Sequence, residues 1–310
     1  MNLFTAEING WSSWGKVFQS ISTFKPLIRH IFAEENLPLS KIERCTPGTH
    51  AVFRVGDYVI KIFAPEESGF DGTVDFETEV FAMQRATMLG VSVPKLMTCG
   101  ALQVQYRFSY LIMEYKSGIE FNKLSPTLTF EQKVAIGQRL RVITNTLNQP
   151  CDAFNQIDVI HGENRQQRWE KYAERFKRER LDYISSHDFG EKVFVHGDLN
   201  GDNILLSPEK ELTIIDFADA VLAPAVYEQA LIVCELFQFN KAYMQGYFGD
   251  YTVDAITDLC FNGLLIHDFG GDIIEQRVGP VDQINSLEAL HRCLYLCIKY
   301  TQTFKGPYEA

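Results

Sequence analysis

His196-Gly-Asp-Leu-Asn-Gly-Asp-Asn-Ile-Leu-Leu206 is the densest polar stretch of the chain, and it lies between the apolar runs Val193-Phe-Val195 and Leu212-Thr-Ile-Ile215. Polar side chains so placed are displayed from a turn whose two ends are held in a core. Asp198 and Asn203 are five residues apart, and thirteen residues after Asn203 comes Asp216, an acid that ends the second apolar run. A carboxylate, an amide and a second carboxylate presented by neighbouring loops form a set of hard oxygen donors, the kind that Mg²⁺ carrying a nucleoside triphosphate requires. Asp198 can in addition serve as the base or orienting group for an attacking hydroxyl.

A second chemical group stands far upstream. Val59-Ile-Lys-Ile-Phe63 places Lys61 inside an otherwise apolar strand. A buried ammonium is costly unless an acid pairs with it.

The elements that must position these groups can be read in order. Ala51-Val-Phe-Arg-Val55 and Tyr58 to Phe63 are β-rich runs joined by Gly56-Asp57, a hairpin signal. Phe76, Val80, Met83 and Ala86 recur at helical spacing, and Gly90 stops that helix. Ser109 to Tyr115 is a continuous apolar strand. Beyond it the pattern turns helical. Thr129 opens a helix over Phe130–Leu147, with Glu131 and Gln132 in its first turn, and a long charged helix is expected from Asn164 to Ser185. Strands with one helix followed by mostly helices make an α+β chain, with the division expected between 1–114 and 115–310.

The motif set resembles the aminoglycoside phosphotransferase and choline kinase branch of the protein-kinase-like superfamily. The pattern shared is His196-Gly197-Asp198, Asn203 and Ile215-Asp216-Phe217, and the resemblance runs from about Lys41 to Glu235. It implies a bilobal fold: an N-terminal lobe with a five-stranded antiparallel sheet and one helix, then a larger helical lobe. It implies Asp198 as the catalytic base, Asn203 and Asp216 as Mg²⁺ ligands, and Lys61 as the holder of the nucleotide phosphates, paired with an acid of the helical pattern Asp75 to Leu89, Glu79 with Glu77 as runner-up. Thr46-Pro-Gly-Thr-His-Ala51 takes the place of the nucleotide-covering loop with a single glycine, Gly48. Met113, Glu114 and Lys116 match the segment whose backbone meets the purine of ATP or GTP. His196 is expected to be a partner inside the loop. True protein kinases differ: no Arg follows His196, Ala218 replaces a glycine, and Ala223-Pro-Ala-Val-Tyr-Glu228 follows so soon that a peptide-docking segment has little room. A small-molecule acceptor is therefore expected.

The acceptor question falls on the last third. Gly246 to Gln276 contains Asp250, Asp254, Asp258, Asp268, Asp272 and Glu275 and no Lys or Arg. Like charges at helical spacing repel; a polycationic acceptor of the aminoglycoside type would offset that, beside a candidate hinge at Gly270-Gly271, and the alternative is a solvated acidic face on an acidic protein. A choline-like acceptor would instead need an aromatic cage, for which Tyr243, Tyr247, Phe248 and Tyr251 are available; a sugar or an amino-acid-like metabolite is a further alternative. A catalytically silent nucleotide-binding module is the rival of another class, and the presence of Lys61, Asp198, Asn203 and Asp216 together argues against it. The formal net charge of −11 excludes a broad basic face for nucleic acid. No window of eighteen uncharged apolar residues occurs, so no membrane span is expected. The seven cysteines are widely spaced, which fits reduced thiols and a cytoplasmic location, and nothing in the pattern speaks to oligomeric state.

Overall fold

β2 (Ala51–Val55) and β3 (Tyr58–Ile62) pair antiparallel across a two-residue loop, because Gly56 at its first position adopts φ +65°, a left-handed conformation that glycine takes without strain. With β1 (Ile42–Arg44), β4 (Leu96–Gln103) and β5 (Arg107–Glu114) they form a five-stranded antiparallel sheet in the order β1-β2-β3-β5-β4. The computed structural model describes residues 3–46, 48–70 and 72–300, and of residues 163–165 it describes the backbone alone. The chain divides into two compact units. One comprises Met1–Ser117 with Thr213–Asp219; the other comprises Gly118–Leu212 with Ala220–Ala310.

In the first unit, α1 (Trp11–Val17) and α2 (Ile21–Glu34) precede the sheet. Phe24, Leu27, Ile28, Ile31 and Phe32 make one apolar stripe on α2 and are fully buried, together with Phe53, Val55, Ile60, Phe108 and Ile112 of the sheet. Sequence reading had placed one helix in this unit; two more are present, and they cover a face of the sheet. The expected helix is α3 (Gly72–Met88). Its entry is close-packed: a Cβ at Gly72 would sit 2.3 Å from the Ala64 carbonyl oxygen.

The second unit is mainly helical. It starts with β6 (Ile119–Glu120) and α4 (Phe121–Leu124), followed by α5 (Phe130–Leu147), whose Thr129 and Gln132 close a capping box. The long charged helix expected from Asn164 is instead a 3₁₀ turn over Glu163–Trp169 and then α6 (Glu174–Ser186). After the break Trp169 and Tyr172 both stack on Phe176 in the core. β7 (Lys192–Val195), β8 (Ile204–Leu206) and, after β9 (Leu212–Ile214), β10 (Val221–Pro224) follow; β7 pairs with β10 and β6 with β8. The remaining helices are α7 (Val226–Leu231), α8 (Lys241–Phe248), α9 (Val253–Ile266), α10 (Gly270–Ile273) and α11 (Leu287–Tyr300). α7 runs on into a π-helical turn over Ile232–Leu236, and α10 into a second over Ile274–Val278. Among the described residues no helix is long and apolar enough to cross a membrane.

Candidate active site

Lys61 is held in register on β3, opposite Leu111 of β5, and is 4% exposed. Its ammonium donates to Glu79 Oε2 at 2.6 Å and to Asp216 Oδ1 at 2.7 Å. Glu79 is fully buried, whereas Glu77 is exposed, so the helix presents the former to Lys61. Burial by itself would depress Lys61; the charges of Asp216 and Glu79 outweigh it and hold the lysine above its ordinary range. Burial pushes Glu79 up to about 7, opposed by Lys61 and helped by the second carboxylate that shares the same ammonium. Asp216 follows β9 with φ +61°, a conformation that costs an ordinary residue on the order of 1–3 kcal/mol. The end of β9 is fixed by Ile214 N–H to Ser92 C=O at 3.0 Å.

Four other residues expected on the nucleotide side lie in the same unit. Gly48 is exposed in the loop before β2, and the neighbouring Pro47 lies outside the described residues. Met113 is buried at the end of β5, where the Glu114 N–H donates to Lys95 C=O. The Glu114 side chain pairs with Lys116 at 2.9 Å.

The second unit builds the Asp198 loop. Gly197 takes φ +86°, which turns the chain after β7. Asp198 Oδ1 accepts Asn200 Nδ2 at 2.9 Å, and its Oδ2 accepts Asn203 Nδ2 at 3.0 Å. The same Nδ2 donates to the Asp198 carbonyl at 2.8 Å, so the Asn203 amide nitrogen is committed and its oxygen is the atom left to act as a ligand. His196 is fully buried; its N–H donates to Glu228 Oε2 at 2.6 Å and its Nδ1 accepts the Asp198 N–H at 3.3 Å. Glu228, on α7, also accepts Asn148 Nδ2 at 2.9 Å. This buried carboxylate, which burial holds above its usual range, anchors the loop from below. It was not singled out from the sequence, since Tyr227-Glu228 reads there as an ordinary helix start.

A cavity of about 610 Å³ opens on the Asp198 loop, lined by Asp198, Asn200, Gly201 and Asp202 and, across from them, by Glu235, Gln238, Phe269, Asp272, Gln276 and Arg277. Both π-helical turns contribute to its wall. They are joined there by an ion pair, Arg277 Nε to Glu235 Oε2 at 2.9 Å. π turns widen a helix locally and recur at functional sites. Asn122 completes the wall and donates to Asp202 Oδ1 at 2.9 Å. Gly201 is needed here, because a Cβ would sit 2.0 Å from the Asn122 amide oxygen.

Of the six acids noted in the last third, Asp272 alone lines this cavity. Asp250 precedes α9, whose cap is Thr252, so it does not share a helix face with Asp254 and Asp258. Asp254 is exposed in the first turn, where the helix dipole favours it. Asp258 meets His291 at 2.8 Å. Asp268 meets Arg168 at 3.1 Å, and Lys171 holds both Asp272 and Glu275. Basic groups of this chain therefore meet Asp268, Asp272 and Glu275. Gly270 and Gly271 are buried at the start of α10, and a Cβ at Gly270 would sit 1.9 Å from the Leu264 carbonyl oxygen. Tyr243 and Tyr247 do not form a cage. They are buried, with Tyr243 bonded to Ser125 and Tyr247 to Thr144, and Phe269 is the aromatic residue among the lining side chains.

A family model described as the phosphotransferase enzyme family (APH) matches residues 41–256. The chain belongs to this family. Solved structures share its fold. The chain is similar to APH(2″)-IIa in a ternary complex with streptomycin and ATP, at 15% identity and TM-score 0.58, over 85% of this chain and 97% of that one. It is similar to the choline kinase LicA from Streptococcus pneumoniae, at 14% identity and TM-score 0.56, over 89% and 99%. It is also similar to aminoglycoside phosphotransferase APH(2″)-Ib bound to ADP, at 13% identity and TM-score 0.56, over 88% and 99%. No functionally curated protein sequence matched the chain.

Proposed function

We propose that the phosphotransferase moves the terminal phosphoryl group of ATP or GTP to a hydroxyl of a small, amine-bearing polyol of the aminoglycoside type. The observation that carries this reading is the cavity on the Asp198 loop. Its wall combines the carboxylates of Asp198, Asp202 and Asp272 and the Glu235–Arg277 ion pair with the amides of Asn122, Asn200, Gln238 and Gln276. Carboxylates suit ammonium groups, and amides both donate to and accept from hydroxyls. The choline alternative has less support, since one aromatic side chain is too few for a cage around a quaternary ammonium.

Asp198 would take the proton of the acceptor hydroxyl as its oxygen bonds to phosphorus and the nucleoside diphosphate leaves. Lys61, steadied by Glu79, would hold phosphate oxygens. Asn203 and Asp216 fit Mg²⁺, since the amide oxygen of the first is uncommitted and the second presents a carboxylate that is 44% exposed at its side chain. Among the described residues no group of three His, Cys, Asp or Glu side chains could hold a metal alone. Mg²⁺ takes one or two protein carboxylates and completes its shell with phosphates and water. When bound, the ion neutralises phosphate charge.

The test is nucleotide consumption by the purified chain across aminoglycosides, choline, simple sugars and hydroxy amino acids, run with ATP and with GTP. Turnover with an aminoglycoside and not with choline is expected. Turnover with choline alone would reverse the acceptor reading, and none with any hydroxyl compound would favour a silent nucleotide-binding module.

A further inference from the structure

The loop before β2 has one glycine where a nucleotide-covering loop usually relies on several, yet its end is firmly tied. His50 is 3% exposed. Its Nδ1 accepts the Ala64 N–H at 3.2 Å, and because that group can only donate, the ring proton sits on Nε2. Nε2 then donates to Asp75 Oδ2 at 2.9 Å. Asp75 lies four residues before Glu79 on α3, so the two carboxylates share one face one turn apart. One takes the loop through His50; the other takes β3 through Lys61. The ring of His50 also packs against Phe63 at 4.6 Å and Phe70 at 5.9 Å. From the other side, Trp14 of α1 donates its Nε1–H to the Thr49 carbonyl at 2.9 Å. α1 lies before the stretch matched by the family model, so this restraint comes from outside it.

We infer that His50, through its bridge to Asp75 and Ala64, is a positioning residue that fixes the nucleotide-covering loop relative to Lys61. A glycine-rich loop adapts its backbone to phosphate on binding. Here side chains hold the loop in place beforehand, so less ordering remains to be done when the nucleotide arrives. The inference rests on the reading that the unit of Lys61 binds the nucleotide.

His50→Phe keeps the ring and its packing on Phe63 and Phe70 but removes both nitrogens. Calorimetric titration of the full chain with MgATP and with MgGTP reads the consequence, beside the melting temperature without nucleotide. The dissociation constant is expected to rise about tenfold, the scale of one lost hydrogen bond to a charged group. Asp75→Asn, whose amide oxygen still accepts from Nε2, should stay within about threefold of the parent. A folded His50→Phe with parental nucleotide affinity overturns the inference, whatever its melting temperature. Should His50→Phe not fold, Asp75→Ala removes the same hydrogen bond from a surface-facing helix position, and parental affinity there is equally fatal. Lys61→Ala serves as the reference. If it too leaves affinity unchanged, the nucleotide reading fails; if it weakens binding while the His50 and Asp75 variants do not, only the positioning role does.

Discussion

Glu79→Ala perturbs a fully buried charge in the first unit, and the structure bounds its cost. Removing one partner of a wholly buried ion pair costs about 3–5 kcal/mol, because the other charge is stranded. Lys61 would not be stranded, since Asp216 remains 2.7 Å from its ammonium. The mutation also removes a carboxylate whose burial opposes its own ionisation, pushing it up to about 7. The net loss should therefore fall to about 1–3 kcal/mol, the scale of one hydrogen bond between charged groups. At roughly 2–4 °C per kcal/mol for units of this size, the melting temperature drops by about 2–12 °C. The functional loss should be larger in proportion. With one anchor gone, Lys61 settles on Asp216 and is withdrawn from phosphate, so kcat/KM for the nucleotide should fall at least about tenfold, or 1.4 kcal/mol. Glu79→Gln keeps the volume and an accepting oxygen, and should lie between parent and alanine on both measures. Thermal melts paired with steady-state phosphoryl transfer, or with MgATP titration in the absence of an acceptor, provide the assay. A Glu79→Ala protein with parental nucleotide affinity would refute the argument that this contact positions Lys61. One more stable than the parent would show that burial of the carboxylate outweighs the pair.

Other perturbations address the second unit and the ion. Asp198→Asn should cut turnover at least about 100-fold while nucleotide affinity survives, as removal of a general base does; near-parental turnover would take Asp198 out of the chemistry. Asp216→Ala and Asn203→Ala should each raise the Mg²⁺ concentration needed for half-maximal rate, and a variant with the parent's metal titration is not a ligand. Asp272→Asn should raise the acceptor's KM about threefold to thirtyfold, a loss tempered by its standing pairing with Lys171, whereas Asp254→Asn on the exposed face of α9 should leave it unchanged. Equal effects from the two would show that the cavity is not where the acceptor binds.

What the sequence alone determined is local. The Gly56 turn, the Thr129–Gln132 capping box and the spacing of Asp198, Asn203 and Asp216 each depend on residues a few positions apart, or on a short loop between two apolar strands. Such features are set by backbone geometry, and they sufficed for the fold class and for the residues of the motif. The apolar stripe of α2 was equally local, at positions 24, 27, 28, 31 and 32, but Pro26 lies within it and obscured the helix.

Tertiary structure decided everything that rests on distant pairing. The acids of the last third looked unbalanced because their window holds no basic residue. Their partners, Arg168 and Lys171, lie about a hundred residues upstream and reach them only when the turn at Glu163–Trp169 docks beside α10. Glu228 reads as an ordinary helix acid until α7 packs under the His196 loop, 32 residues away in sequence. Glu235 and Arg277 meet because two helices each take a π turn on one cavity wall, a distortion that packing imposes and no short stretch of sequence announces. His50 is in sequence one more residue of the loop before β2, and only the approach of α3 and Ala64 gives both of its nitrogens a partner. An electrostatic or hydrogen-bonded contact falls off within a few ångströms, so its existence is a property of the folded distances and not of the order of residues.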